Sequence, residues 1–95
     1  MEFEWDPTKA EANLRKHGVS FARASFVFND SSRIEYFDSE DDHGEERWIT
    51  IGLVHPYLLL VVFTMRNHKI RLISARKANR NEQRRYSDGD IPSRS

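Results

Sequence analysis

The sequence predicts an α+β domain in which helices pack on an antiparallel β-sheet, in the order β-α-α-β-β-β-β-α. Three observations predict it. Helix signals frame residues 6–29: Asp6-Pro7 opens, Gly18 closes, and Ser20 opens again. Residues 33–76 hold alternating or continuous apolar runs, separated by short turns that make consecutive late strands antiparallel. Asn79 with Glu82 three residues on is a capping-box pattern that starts a last helix.

The elements follow in order. Phe3 to Trp5 alternate and read as a short strand. Asp6 caps a helix with Pro7 at its first position, where the missing N–H would be unpaired anyway. It runs to about His17, with Ala10, Leu14 and His17 on one face. VSFARASFVF (residues 19–28) reads as a second, shorter helix with an inward stripe of Phe21, Ala24, Ser25 and Phe28. RIEYF (33–37) is an amphipathic strand, and residues 38–45 form a polar, acidic loop. RWITIGLV (47–54) and YLLLVVFTM (57–65) are strands joined at His55-Pro56. The second is apolar at every position up to Phe63, which predicts a central strand covered on both faces. IRLISAR (70–76) returns after Asn67-His68, and the last helix ends near Tyr86 or Ser87. The expected organisation is one domain over 1–87 and a disordered tail over 88–95.

Turn lengths also predict which side chains meet. Two-residue turns at His55-Pro56 and Asn67-His68 put Thr64 opposite both Arg47 and Arg71, in one row across three strands. Arg66 lies just past that row, near Glu46. Arg76 ends its strand and starts the basic connection to the last helix. The plain reading of this row is cross-strand ion pairing with Glu45 or Glu46. The functional reading is that guanidinium groups on a rigid sheet grip phosphate bidentately. Trp48, His68 and Tyr86 add stacking and proton-transfer groups.

The net charge is zero, but it is separated along the chain. Residues 35–46 carry seven acids and no Lys or Arg; residues 66–86 carry eight bases against the single acid Glu82. A solvated, mutually attracting pair of faces explains this pattern, and so does a basic face that meets a polyanion. The longest apolar run is too short to span a bilayer, there is no signal pattern, and there is no cysteine, so a cytoplasmic protein without membrane contact is expected. The four His residues are scattered, the acidic loop lacks a Ca²⁺-binding register, and phosphate-loop and nucleophile-elbow motifs are absent. No metal or cofactor is expected. If the chain is an enzyme, metal-free RNA cleavage is the simplest chemistry left, because the substrate's own 2′-hydroxyl is the nucleophile.

Four ordered blocks carry a resemblance: FEWDPTKAEANLRKHGVSFARASFVFND, ERWITIG, LLVVFTMR and IRLISARKANRNEQRRY. Together they cover about residues 3–86, and the chain resembles the BrnT toxins of bacterial type II toxin–antitoxin systems. The resemblance implies a RelE-like fold and a ribonuclease that blocks translation. It also implies partners: a BrnA-type antitoxin with a ribbon-helix-helix module, a 2:2 complex, RNA as substrate, and operator DNA reached only through the antitoxin. The matching blocks offer Arg66, Arg71, Arg76, Glu46 and His17 as catalytic candidates. Lys16, Arg47, His68, Lys77, Arg80 and Tyr86 are candidates for holding substrate. A non-catalytic RNA- or protein-binding module with a basic surface is the competing expectation.

Overall fold

The computed structural model describes residues 1–92. Its elements are β1 (Phe3–Glu4), α1 (Pro7–His17), α2 (Phe21–Ala24) with a 3-10 turn at Ser25–Asn29, β2 (Ile34–Glu40), β3 (Glu46–Val54), β4 (Tyr57–Arg66), β5 (Lys69–Lys77) and α3 (Arg80–Asp88). This is the predicted order.

Local chemistry explains the boundaries. The Asp6 carboxylate accepts the Thr8 N–H at 2.8 Å, and Gly18 closes α1 at φ 71° with its N–H on the Leu14 carbonyl. The Ser20 hydroxyl caps α2. The expected second helix then tightens into a 3-10 turn. Phe21, Ala24 and Val27 are buried at three-residue spacing, so the inward stripe takes in Val27 rather than Ser25. On α1 the buried position is Asn13, flanked by half-buried Ala10 and His17, and Leu14 is exposed. α3 ends at Asp88 and is capped by Gly89, slightly beyond the expected end. Of the expected tail, residues 93–95 lie outside the described residues.

The sheet order is β1-β5-β4-β3-β2, with β4 central as expected. The three hairpin pairs are antiparallel, but β1 joins β5 in parallel, which makes the sheet mixed. No tight turn constrains β1, because the chain leaves it through the helices. The predicted registers hold: Val54 pairs Tyr57, Arg66 pairs Lys69, and Thr64 pairs Arg71. Asn67 and His68 both have positive φ, the backbone that a two-residue hairpin turn requires.

One sheet face carries Leu59, Val61, Phe63, Ile70, Leu72 and Ala75 against Phe21, Ala24, Val27 and Phe28. Gly52 lets the 3-10 turn sit directly on β3, since a Cβ there would lie 2.6 Å from Val27 Cγ2. The other face has a smaller cluster of Ile34, Ile51, Leu60 and Ala78, with Tyr86 of α3 packed on it. No residue of α3 is buried, so this helix lies lightly on its end of the sheet. β5 changes parity once. Val62 pairs Ser74 and Phe63 pairs Leu72, so Ile73 is an extra, bulged residue. Without the bulge, Arg71 and Arg76 would point to opposite faces. With it, both share the face of Thr64 and Leu60. Among the described residues, no helix is long and apolar enough to cross a membrane.

Candidate active site

The face that α3 partly covers carries the chemistry. Three strands contribute the expected row: Thr64 pairs Arg71, and continuing the β3–β4 register from Trp48–Phe63 sets Arg47 beside Thr64. The buried Thr64 hydroxyl donates to the Glu46 carbonyl at 2.7 Å, tying the row together. Arg71 Nη1 donates to Glu4 Oε2 at 2.9 Å, a partner supplied by β1 and not by the acidic loop. Arg47 Nε is buried and has no hydrogen-bond partner. An unpaired buried donor is costly, so this side chain has an unmet demand for an acceptor.

Further along the same face, Arg76 forms a two-pronged pair with Glu82 of α3: Nη1 to Oε1 and Nη2 to Oε2, both at 2.8 Å. That pair raises the Arg76 pKa and lowers that of Glu82, so both stay charged. Glu82 Oε1 also accepts the Asn79 N–H at 2.8 Å, completing the predicted capping box. Arg85 Nη1 makes a long contact of 3.4 Å with the Tyr36 hydroxyl, and its guanidinium lies 6.0 Å from the centre of that ring. Arg76 and Glu82 thus share one end of the face with Tyr36 and Arg85.

This architecture frames the comparison with known proteins. The family model described as ribonuclease toxin, BrnT, of type II toxin-antitoxin system matches residues 5–82. The chain belongs to the BrnT family. The matched stretch reaches from Trp5 to Glu82, so it spans the whole sheet from β2 to β5 and the Arg76–Glu82 pair. A comparison with curated proteins finds no match. A toxin of a type II system has an antitoxin partner, and the family is one of ribonucleases.

In this BrnT-family chain the expected site residues fall into four groups. Arg47, Arg71 and Arg76 share the α3 face, as described. Arg66 has the same facing as Thr64 but lies at the end of the sheet, where it and Glu46 border an open cavity of about 550 Å³ lined also by Asp41, His43, Trp48 and Thr64. Arg66 Nη2 donates to Glu45 Oε2 at 2.7 Å, which raises the Arg66 pKa. His68, in the adjoining hairpin turn, is exposed. Lys16 and His17 end α1 on the opposite side of the sheet, in a groove with Ile73 and Ser74.

Three further candidates are spread around α3. The Lys77 ammonium sits 4.0 Å from the centre of the Tyr57 ring, and Arg80 is an exposed first residue of α3. The Tyr86 hydroxyl donates to Asp30 Oδ2 at 2.6 Å, so it anchors α3 to the turn before β2. The sequence reading passed over Tyr36, Glu82 and Arg85 as site residues. A signal for Tyr36 existed: alternation in RIEYF sets it on the side of Ile34.

Proposed function

We propose that this chain is a metal-independent endoribonuclease that holds RNA across the α3 face of its sheet. One observation carries the reading: Arg47, Arg71 and Arg76 lie on a single face together with Tyr36. In the proposed reaction the substrate 2′-hydroxyl gives its proton to solvent as its oxygen attacks phosphorus. The bond to the 5′-oxygen breaks, giving a 2′,3′-cyclic phosphate and a 5′-hydroxyl. The guanidinium groups stabilise charge on the non-bridging oxygens. Arg71 and Arg47 hold flanking phosphates, and Arg76 faces the scissile one. Tyr36 is the proposed proton donor to the leaving 5′-oxygen, since its hydroxyl is an O–H donor on this face and its oxygen lies toward Arg85.

Arg66, Glu46 and His68 would contact RNA further along the chain, and Lys77 and Arg80 would hold its backbone near α3. His17 and Lys16 lie across the sheet, which supports a contact with more distant RNA or with the antitoxin. Cleavage of cytoplasmic RNA would inhibit translation. The proposed partner is a BrnA-type ribbon-helix-helix antitoxin in a 2:2 complex that alone contacts operator DNA.

The test is purified protein with single-stranded RNA in a chelator. Discrete products ending in cyclic phosphate, lost in Arg76→Ala, support the enzyme. RNA that is bound but left whole means a binding module instead.

A further inference from the structure

Glu82 has two engagements at once, and counting donors shows what they leave open. A guanidinium has five N–H donors in a fixed plane. In Arg76, Nη1 serves Glu82 Oε1 at 2.8 Å and the Lys77 carbonyl at 3.2 Å, and Nη2 serves Glu82 Oε2 at 2.8 Å. The two remaining protons sit on Nε and on the outer side of Nη2. They point the same way and have no partner among the described residues. That pair is a fork of the kind that grips two oxygens of a phosphodiester.

We infer that Glu82 is a positioning residue for the reaction, holding Arg76 by its end so that its side edge stays presented to the scissile phosphate. The inference rests on the ribonuclease reading proposed above. Glu82 suits the task because it is itself fixed. Its side chain is only 12% exposed, and the Asn79 N–H holds Oε1 from α3's own first turn. An arginine tethered at two points loses little freedom when it binds substrate. The opposite reading, Glu82 as a stand-in that blocks Arg76 from phosphate, conflicts with the unoccupied edge.

A double-mutant cycle tests this. Glu82→Ala should lower kcat for RNA cleavage by about 100-fold with KM changed less than about threefold. In an Arg76→Ala background the same substitution should cost nothing further, because its effect runs through Arg76. Asn79→Ala removes the acceptor for the Glu82 N–H and leaves the ion pair intact, so it should keep activity within about threefold while lowering stability. Should Glu82→Ala not fold, Glu82→Gln replaces it: its amide oxygen can still accept the Asn79 N–H, but its NH₂ cannot accept from Arg76. Equal losses in both backgrounds, or a gain in activity on removing Glu82, would overturn the inference. Wild-type protein that leaves RNA whole would overturn the ribonuclease reading and this inference with it. Wild-type cleavage with an indifferent Glu82 would overturn the inference alone.

Discussion

Asn13 and Ala75 are bonded to each other twice: the Asn13 side chain accepts the Ala75 N–H at 3.1 Å and donates to the Ala75 carbonyl at 2.8 Å. A side-chain amide thus replaces a neighbouring strand where β5 has just bulged at Ile73. A third bond, from Asn13 Nδ2 to the Val19 carbonyl at 3.0 Å, ties the same amide to the α1–α2 connection. Sequence positions 62 apart are locked together, and the lock stabilises the register that turns Arg76 toward α3.

Asn13→Ala leaves the buried Ala75 groups unpaired. It should cost about 3 kcal/mol in urea denaturation. Hydrogen exchange at the Ala75 amide should speed up more than at Val61 in the same sheet.

Gly52→Ala forces a methyl group against Val27 Cγ2 and the Val27 carbonyl, at 2.6 and 3.2 Å. The expected loss is about 2 kcal/mol by denaturant melting. Adding Val27→Ala should make the double variant less destabilised than the sum of the singles, because the clashing methyl is gone.

The Tyr86–Asp30 bond predicts an alkaline weakness. Donation to Asp30 raises the Tyr86 pKa from 10.0 to about 12. A raised pKa means the contribution is complete below 10.0, the unfolded value, and disappears as pH rises through about 12. Tyr86→Phe should cost about 1 kcal/mol at neutral pH. The wild-type advantage in Tm over this variant should vanish across that alkaline window, as followed by circular dichroism.

Arg66 and Arg76 should separate functionally. They are six residues apart in register along β4, or roughly 20 Å, too far for both to grip one phosphate from neighbouring positions. Arg76→Ala should relieve growth arrest and cut RNA cleavage by about 100-fold, whereas Arg66→Ala should cost about tenfold or less. Arg66→Ala should melt near wild type, since its pair is exposed, whereas Arg76→Ala should melt somewhat lower, because Glu82, only 12% exposed, loses its charge partner. Equal defects would move the reacting centre toward the cavity that holds Arg66 and Glu46.

The hairpin registers were legible because turn length sets pairing arithmetic, and Thr64 opposite Arg71 follows from Asn67-His68 alone. The bulge at Ile73 was not legible, because no local residue announces it and the Asn13 bonds to Ala75 just beyond it come from α1, distant in sequence. The face of Arg76 depended on that bulge. Glu82 was readable as a capping residue, and the cap is real. Its grip on Arg76 needed the end of β5 and the start of α3 to be set side by side. The 3-10 turn escaped for a related reason: Phe21, Ala24 and Phe28 fit an α-helical face, and only packing against Gly52 selects the tighter winding that buries Val27.

The unequal covering of the two sheet faces should leave a visible imprint on tolerance to change. A saturation scan of β4 would show stripes. Leu59, Val61 and Phe63 would admit little but apolar residues of similar volume, while Val62 could vary until a substitution disturbed toxicity. Along β5 the intolerant stripe runs Ile70, Leu72 and then Ala75, so its phase jumps once, at Ile73.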